Sequence, residues 1–482
     1  MHISITFRIL GILLMLFSLT QVTPIAFALW YNDGSAVSFL SAFIITFLSG
    51  LIIWFPVRNK RYELRIRDGF LITAMFWTVL GLYGSLPFTL SPDLHLSISD
   101  AIFESISGLT TTGATVISGL DGLPKSILFY RQQLQWLGGI GIIVIAIAIL
   151  PMLGIGGMQL YRAETPGPSK DSKLTPRITE TAKALFLVYL FLTGCCALSY
   201  WIAGMSAFDA VCHAFSTVAI GGFSTHDASI GYFNSSSVML ICSFFMVISA
   251  VNFGLHFTAF RYRNLSSYLG DSETKFFASI LGISITVICA YLIYSDAYKT
   301  EEAILHGLFQ TISIATTTGF ATTDFASWPS FLPIMLIMLS VMGGCVGSTG
   351  GGMKAMRIML IYRQGVRELK QLVHPNAVIP LKIGKRRVEA SVVSAVWSFF
   401  AVYMAALIII LWLLMATGLD FTTAFSAVIA ALNNLGPGLG DVASHYGNIS
   451  DAAKWILCFA MLLGRLEIFT LLVLFTPMFW KP

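Results

Sequence analysis

Charged residues are scarce in this chain: Asp, Glu, Lys and Arg make up only 11% of its 482 residues, and 56% are hydrophobic. A soluble domain usually carries about 25% charged residues, so an ordinary cytosolic enzyme and a disordered chain are excluded. The net charge is only +5, which is not the footprint of a nucleic-acid-binding protein. Walker A, GxGxxG and zincin motifs are absent from the sequence. Nucleotide binding and hydrolysis by this chain are therefore not expected, and no enzymatic activity is predicted.

Metal-binding cysteine patterns are also missing. The seven cysteines include no CxxC pair, and most of them lie within apolar stretches, so we interpret them as packing residues. What the sequence has instead is a series of stretches long enough to cross a membrane as helices of about 20 residues. They carry almost no charge, the last alone containing Arg465 and Glu467, and they cover residues 9–32, 34–57, 69–92, 132–161, 184–208, 228–260, 276–295, 325–353, 390–419 and 455–480.

The first stretch has two interpretations. Arg8, an apolar run and the small residues Ala26 and Ala28 would fit a signal peptide. We favour a retained helix, because the apolar character continues through Trp30 and a second stretch follows almost at once. The sequence therefore predicts an all-α polytopic membrane protein with ten transmembrane helices.

The connections between the ten stretches differ strongly in charge. With the N-terminus and C-terminus in the cytoplasm, the inner connections hold 24 basic and 9 acidic residues, and the outer ones hold 4 basic and 14 acidic residues. Basic residues favour the cytoplasmic side, so this orientation is the expected one. The acidic outer face consists of solvated loops, or it concentrates cations at an entrance.

An internal repeat occurs in four of the outer connections. Each contains a short apolar segment followed by a tract rich in threonine or glycine, and the last glycines of the tracts are 109, 97 and 117 residues apart. Such recurrence indicates a repeated architecture, here two spans enclosing a short half-helix and a loop. We number the tracts 1 to 4; they read Thr110-Thr111-Thr112-Gly113, Ala219-Ile220-Gly221-Gly222, Thr316-Thr317-Thr318-Gly319 and Asn433-Asn434-Leu435-Gly436.

The half-helices before tracts 1, 2 and 4 open with a Ser/Thr-x-x-Asp pattern, which is close to a capping box. The pattern predicts Ser97, Ser206 and Thr417 as the N-terminal capping residues. A half-helix that enters from outside directs its C-terminal end, with its partial negative charge, toward the middle of the membrane, where it favours a cation. The loop that follows can replace an ion's water shell with backbone carbonyls. The physics supports a monovalent-cation pore and leaves the ion open.

These tracts, the glycine-rich segment 343–352 and the Gly464-Arg465-Leu466-Glu467 sequence together resemble the Trk/Ktr/HKT superfamily of potassium transporters. Two additional N-terminal spans make the chain most similar to the bacterial TrkH/TrkG branch of that superfamily. The resemblance implies four pseudo-repeats around one pore. The implied units are an N-terminal extension over 1–68, pore repeats over 69–162 and 163–262, a third repeat with an intramembrane gating loop over 263–389, and a fourth over 390–482.

The resemblance also implies function. It predicts potassium uptake in the bacterial inner membrane by a homodimer, with K⁺ as the transported ion, no organic cofactor, and a TrkA-like cytoplasmic nucleotide-binding subunit of the RCK/KTN type that gates the pore. A glycine at the last position of each tract goes with potassium selectivity in this superfamily. The filter residues implied here are Thr111, Thr112, Gly113, Ile220, Gly221, Gly222, Thr317, Thr318, Gly319, Asn434, Leu435 and Gly436. Tracts 2 and 4 depart from the Thr-Thr-Thr-Gly sequence, so equal coordination from all four is not implied.

Two features inside the apolar stretches predict a gate. Arg465 lies in a span where a charge costs at least about 2.5–3.5 kcal/mol, and Glu467, two residues away, points to another helix face. We favour a position facing the pore over a purely structural ion pair. The segment 343–352 holds six glycines, too many for a continuous helix or for one packing seam. The predicted gate residues are Gly347, Gly350, Gly351, Gly352 and Arg465.

Polar residues recur nine positions before the last glycine of tracts 1 to 3: Glu104, His213 and Gln310. They could handle protons, but hydrogen-bonded bracing of the tracts is the favoured interpretation. The basic segment 354–389 could enforce topology, contact anionic lipid or bind the partner subunit. The rival to a channel-like pore is a cation-coupled symporter with alternating access, whose fold typically has two-part repeats and unwound spans.

Overall fold

The computed structural model describes residues 3–59, 66–144, 178–384 and 386–481. Helices dominate this part of the chain. Six are long and apolar enough to cross a membrane, and two bent helix pairs raise the number to eight if each pair is one span. Large apolar side chains on these helices remain exposed, including Leu187 at 61% and Trp412 at 67%, as expected for surfaces that face lipid.

The N-terminal part consists of three helices, of which the first and third pack through small residues. A β-carbon added to Gly11 would lie 2.7 Å from the carbonyl oxygen of Gly50, and one added to Gly50 would lie 2.8 Å from that of Gly11. Small residues allow such close contact between helix backbones within a membrane. The helices are α1 (Ile3–Leu19), α2 (Val22–Tyr31) and α3 (Ala36–Trp54), with a 3₁₀ turn at Phe55–Val57.

The remaining helices form four similar groups in chain order. Each group has a long helix, a shorter buried helix, one of the four tracts, and a further helix. The first two groups contain α4 (Ile66–Gly84), α5 (Leu86–Leu90), α6 (Ile98–Leu109), α7 (Lys125–Val144), α8 (Ile178–Ile202), α9 (Ala207–Ala219), α10 (Ser236–Ala250), α11 (Phe253–Tyr262) and α12 (Ser266–Gly270). The last two contain α13 (Ser272–Tyr294), α14 (Thr300–Ala315), α15 (Leu332–Leu339), α16 (Ala355–Val373), α17 (Ala390–Ala416), α18 (Phe421–Asn433), α19 (Asp451–Arg465), α20 (Phe469–Leu472) and α21 (Pro477–Trp480).

The four shorter helices α6, α9, α14 and α18 lie inside the protein. Almost every residue of α6 and α18 is buried, including Phe103 and Ala427 at 0% exposure. Short 3₁₀ turns follow the tracts at Leu120–Gly122, Ser229–Phe233, Phe325–Ser327 and Gly440–Val442, and another, Val473–Phe475, lies near the C-terminus. The core that surrounds the tracts is therefore built from the short helices, with the long helices outside them.

Several predicted spans are not single straight helices. The helices α10 and α11 meet at 95°, and α19 meets the segment Phe469–Phe475 at 110°. The stretch 325–353 contains one α-helix, the eight-residue α15, and residues 340–354 after it are not helical, which agrees with the broken helix predicted from its glycines. Residues 145–161 of the fourth predicted span lie outside the described residues.

Two details of the sequence predictions were wrong. The chain is not entirely α-helical, because Lys382–Ile383 (β1) and Arg386–Arg387 (β2) form a small antiparallel hairpin. The cap of α18 is Asp420, whose carboxylate accepts from the N–H groups of Thr422 and Thr423, and not Thr417. An Asp placed at the N-cap itself satisfies these groups without help from the residue three positions earlier. The other two predicted caps are confirmed: Ser97 and Ser206 accept from the N–H groups three residues later.

Candidate functional site

The four tracts share one backbone conformation. Their second and fourth residues all have positive φ angles, and their third residues do not. Reversing the sign of φ at alternate residues turns successive carbonyl groups toward the same side of the chain, and glycine adopts positive φ without steric cost. The positive angles are 53° at Thr111, 82° at Gly113, 55° at Ile220, 80° at Gly222, 67° at Thr317, 85° at Gly319, 53° at Asn434 and 95° at Gly436.

Each tract also ends its short helix in the same way. The N–H of the third tract residue donates to a carbonyl five residues earlier at 2.8 Å in all four cases, as from Thr112 to Ser107 and from Leu435 to Ala430. The second residue bonds three residues back, which completes a Schellman cap. The residue in the left-handed conformation of such a cap is normally glycine. Here it is the second residue of each tract, and Thr111, Ile220 and Thr317 at this position are β-branched. Left-handed backbone is strained for such residues and persists where the surroundings hold it.

The tracts contact one another in a closed cycle. A β-carbon added to Gly113 would lie 2.0 Å from the carbonyl oxygen of Gly221 in tract 2. The same contact recurs from Gly222 to Thr318 at 2.1 Å and from Gly319 to Leu435 at 2.1 Å. It returns from Gly436 to Thr112 at 2.7 Å, so tract 4 meets tract 1. The structure therefore brings the four tracts, which contain all twelve predicted filter residues, together in one cycle of contacts, and the carbonyl that faces each final glycine comes from the third residue of the next tract.

Side chains of the tracts reinforce this arrangement. The hydroxyls of Thr110 and Thr112 are 2.7 Å apart in tract 1, and those of Thr316 and Thr318 are 2.7 Å apart in tract 3. The amide of Asn434 donates to the Thr112 hydroxyl at 3.0 Å, linking tract 4 to tract 1. Tract 2 has no such threonine pair because it contains Ala219 and Gly221 at the corresponding positions.

The polar residues nine positions before the final glycines all contact the chain just beyond a tract. His213 lies 2.9 Å from the Ser224 hydroxyl, and Gln310 donates to the carbonyl of Thr323 at 2.9 Å. Glu104 accepts from the N–H of Val116 at 2.9 Å and from the Thr115 hydroxyl at 3.0 Å. These contacts are of the bracing kind, and such bonds satisfy polar groups that would otherwise be buried without partners.

Arg131 is a residue of this site that the sequence analysis placed among the outer loop charges. Its side chain is 1% exposed and its Nε lies 2.8 Å from the carboxylate of Glu104. It also donates to the carbonyl of Ser224 at 2.9 Å and lies over the ring of Phe223. One buried ion pair thus joins the chain beyond tract 1 to the chain beyond tract 2. The sequence does contain a signal for this pair. Glu104 is the only acidic residue of α6 after its first turn, and Arg131 is the only basic residue in the apolar part of α7.

The glycine-rich segment 343–352 lies at the C-terminal ends of three short helices. The N–H of Gly352 donates to the carbonyl of Asn433 at 3.0 Å, and the N–H of Gly351 donates to the hydroxyl of Thr317 at 2.8 Å. The Thr349 hydroxyl donates to the carbonyl of Val218 at 2.9 Å. A β-carbon on Gly351 would lie 1.9 Å from the Asn433 oxygen, so only glycine fits this close approach.

Arg465 lies beside this segment at the end of α19. It donates to the carbonyls of Thr349 and Gly138, each at 3.3 Å, and its guanidinium is 5.5 Å from the ring centre of Trp77. These partners belong to the glycine-rich segment, α7 and α4. The four predicted gate glycines are in the segment. A β-carbon added to Gly347 would lie 2.9 Å from Oδ1 of Asn252, at the break between α10 and α11, and one added to Gly350 would lie 3.1 Å from the carbonyl oxygen of Thr316.

Charged side chains lie at both ends of the glycine-rich segment. Glu273 of α13 accepts from the N–H groups of Val346 at 2.8 Å and Met356 at 3.1 Å. Glu467 pairs with Arg357 at 2.6 Å and not with Arg465. Lys354 donates to the carbonyl of Gly350. Lys354 and Arg357 are therefore buried, and they are not available as surface cations of the basic segment 354–389.

On the opposite side of the tracts, His226 connects two of the groups. It bonds to Asp121 beyond tract 1, lies 3.5 Å from Asp209 at the start of α9, and stacks on the ring of Tyr232. Burial alone would lower the pKa of His226, but the hydrogen bonds with both carboxylates outweigh burial and raise it.

Comparison with known proteins decides the family. The chain matches the family model described as "TrkH: Cation transport protein" over residues 35–481. It belongs to the TrkH family. It is therefore a transport protein rather than an enzyme, and a predominantly helical protein with several membrane spans.

Similar TrkH-family proteins extend over the full chain. The "Trk system potassium uptake protein TrkH" of Halomonas elongata is 57% identical over 481 residues, covering 100% of both chains. The protein of the same name from Escherichia coli strain K12 is 53% identical over 486 residues, again covering 100% of both. The crystal structure of the potassium transporter TrkH from Vibrio parahaemolyticus is 53% identical, covers 100% of both chains and has a TM-score of 0.93.

Proposed function

We propose that this TrkH-family protein takes up potassium across the bacterial inner membrane through a gated pore whose selectivity filter consists of the four tracts. The closed cycle of contacts among the tracts supports the filter most directly. It gives four carbonyl groups, those of Thr112, Gly221, Thr318 and Leu435, at equivalent places around one axis. Carbonyl rings of this kind replace the hydration shell of a dehydrated cation. The names of the full-length relatives support potassium as that cation.

The four groups of helices serve, in this proposal, as pseudo-repeats around the pore. The short helices α6, α9, α14 and α18 direct their C-terminal ends toward the tracts, and each such end carries roughly half a negative charge. Three of these ends also contact the glycine-rich segment through Val218, Thr317 and Asn433. A cation that has passed the filter would therefore meet this segment next.

The proposed gate consists of the glycine-rich segment and Arg465. The guanidinium bridges carbonyls of α7 and of the segment, so it connects elements from the first and third repeats while standing on the fourth. A bridge of this kind would hold the segment across the pore, and its positive charge would oppose a potassium ion at the same level. Withdrawal of a small flexible element is a common form of switching, and glycine accepts the angles that it needs.

The proposal also includes a cytoplasmic partner subunit and a homodimer of this chain. A TrkA-like nucleotide-binding subunit of the RCK/KTN type would bind the cytoplasmic side, and two copies of the chain would form a homodimer, as the resemblance implies. Exposed cations on α16 and the hairpin, such as Lys370, Lys382 and Arg387, support the first of these. Replacing all three by Glu is expected to abolish co-purification of that subunit, whereas Lys299→Glu on the outer side is not. Full retention by a folded triple variant would assign this surface to topology or lipid.

The experiment that tests the pore is electrical recording. The purified protein in a planar bilayer with a potassium gradient is expected to give unitary current steps that reverse near the potassium equilibrium potential. A symporter with alternating access would instead give flux without steps, coupled to protons or sodium. The protein could take up rubidium in proteoliposomes by coupled flux and give no unitary currents. That result would contradict the pore but would still support potassium transport.

A further inference from the structure

Tract 2 differs from the others at its third position, where it has Gly221 in place of Thr112, Thr318 or Leu435. The backbone does not require glycine there, because Gly221 is not among the residues with positive φ. An ordinary side chain could adopt this conformation. The reason for glycine must therefore lie in what surrounds it.

The space that a side chain would occupy at this position is filled by Gln135 of α7. A β-carbon added to Gly221 would lie 2.4 Å from both Cδ and Oε1 of Gln135. The Gln135 side chain is fully buried, with 0% exposure. A β-carbon at 221 and a glutamine at 135 cannot coexist without a shift, so the two residues are matched to each other.

The Gln135 amide forms two hydrogen bonds with the backbone of tract 2 and the residue after it. Its Nε2 donates to the carbonyl of Gly221 at 2.6 Å, and its Oε1 accepts from the N–H of Phe223 at 3.0 Å. These bonds fix the plane of the peptide groups on both sides of Gly222. In tracts 1 and 3, the third residue is held from within the tract by its hydroxyl, which bonds to the threonine two positions earlier.

We propose that Gln135 is a positioning residue that substitutes for the missing threonine of tract 2 and thereby determines ion selectivity. It sets the direction of the Gly221 carbonyl and takes one of that oxygen's two lone pairs, leaving the other for an ion. This inference rests on the proposed filter. It adds that the filter depends on a side chain from outside the four tracts. It also adds that the Gly221 carbonyl, which already accepts a hydrogen bond from Gln135, has one lone pair fewer for the ion than the other three carbonyls.

The test compares selectivity in four variants: Gln135→Met, Gly221→Thr, the double variant Gln135→Ala/Gly221→Thr, and Gln133→Met. Met preserves the volume of Gln135 and removes both hydrogen bonds. Gln133 is a matched control on the same helix, because its amide bonds to Thr20 and Thr23, away from the tracts. The measurement is rubidium uptake into proteoliposomes competed by potassium and by sodium, with thermal stability recorded for each variant.

Gln135→Met is expected to lower the preference for potassium over sodium about fivefold, the effect of losing roughly one net hydrogen bond at the ion site. Gly221→Thr should lower it as well. The double variant removes the collision but should keep at least the loss seen in Gln135→Met, because both Gln135 hydrogen bonds are gone and the new hydroxyl has only Ala219 two positions earlier. Gln133→Met should leave the preference unchanged. A folded Gln135→Met protein with wild-type preference would overturn the inference, also where its stability is lower.

Gly113→Ser separates this inference from the proposed filter. If Gly113→Ser changes the preference and Gln135→Met does not, the role of Gln135 alone is wrong. If neither variant changes it, and Gly222→Ser and Gly319→Ser do not change it either, the tracts are not the filter, and both proposals fall together.

Discussion

The Cα of Gly113 faces the carbonyl oxygen of Gly221 so closely that a β-carbon on Gly113 would be 2.0 Å from this oxygen. The two residues are 108 positions apart in the sequence and belong to different repeats. Two further contacts of the cycle are equally tight, at 2.1 Å, and the contact between Gly436 and Thr112 is looser, at 2.7 Å. The final glycines are thus required both by their positive φ angles and by the approach of the next tract.

This difference among the contacts predicts a graded effect of serine substitution. Gly113→Ser, Gly222→Ser and Gly319→Ser should each weaken discrimination of potassium over sodium by about tenfold or more, because the new side chain displaces the facing carbonyl, which is the ion ligand in the proposed filter. Gly436→Ser should have a smaller effect. Rubidium uptake competed by each cation measures the discrimination. Gly365→Ser on α16, where an added β-carbon meets nothing within 4 Å, is the control. Unchanged competition for the first three variants alike would remove the tracts from the filter.

The contacts of Arg465 lead to a prediction for the proposed gate and the proposed partner subunit. Arg465→Ala removes the bridge between Thr349 and Gly138 and the charge at that level, so potassium flux should rise and the partner subunit should control it less. Arg465→Lys keeps the charge but cannot donate in two directions from a planar group, and it should give an intermediate flux. Flux in proteoliposomes with and without partner and nucleotide is the measurement. A folded Arg465→Ala protein that conducts like wild type and stays fully regulated would place the gate elsewhere.

A second approach to the gate leaves Arg465 in place. Gly351→Ala should push the glycine-rich segment away from the Asn433 carbonyl, because its β-carbon would be 1.9 Å from that oxygen. Deletion within 346–351 should act in the same direction, and both should raise flux. Gly365→Ala adds the same methyl group to an open position and should change neither flux nor regulation. If the segment only packs helices together, Gly351→Ala will instead reduce expression or flux.

The buried pair of Glu104 and Arg131 predicts a large asymmetric effect on stability. Arg131→Met leaves the Glu104 carboxylate buried without its cation, so the free energy of unfolding should fall by about 3–5 kcal/mol. The double variant Glu104→Gln/Arg131→Met removes both charges and should recover part of this loss. Unfolding in detergent monitored by tryptophan fluorescence gives the values. A loss below about 1 kcal/mol for Arg131→Met would show that water or another group compensates the carboxylate.

His226 predicts a dependence of stability on pH. The charged and titratable groups around it are Asp121, Asp209, His213, whose ring is 6.5 Å away, and Tyr232. Its pKa is raised above the ordinary value of 6.5, so protonated His226 stabilises the fold fully below about pH 6.5, and this contribution is lost as the pH rises through the raised pKa. The difference in thermal stability between wild type and His226→Gln should therefore shrink from pH 6 to pH 9. A constant difference over this range would show that the stabilising contacts of His226 with Asp121 and Asp209 do not depend on protonation of His226.

Much of this site was predictable because it depends on residue types and spacings that are local in the sequence. The final glycines, the caps at Ser97 and Ser206, the break in the stretch that contains 343–352 and the isolated Arg465 all follow from residue type and spacing. The structure adds the shared pattern of positive φ angles in the four tracts, which Ile220 and Asn434 adopt although their residue types differ from threonine.

The remainder depends on contacts between distant parts of the chain. Arg131 was counted with the outer loops, because a residue's burial cannot be read from the charge of its neighbours. Gln135 carries no signal in its own surroundings, since only the fold places it over Gly221. The hairpin after α16 consists of two residues per strand, too short for an alternating pattern. The prediction for the cap of α18 failed because Thr417 and Asp420 are both good capping residues, and the position of the first helical turn decides between them.

The most direct test of the filter is to locate the ion. Crystals of the protein grown in rubidium, with diffraction data collected at the rubidium absorption edge, show bound ions as anomalous peaks. We predict a peak enclosed by the four tracts, in direct contact with the carbonyl oxygens of Thr112, Gly221, Thr318 and Leu435, which is displaced by potassium and not by an equal concentration of sodium. Rubidium bound elsewhere in the protein, with no peak at these four oxygens, would contradict it.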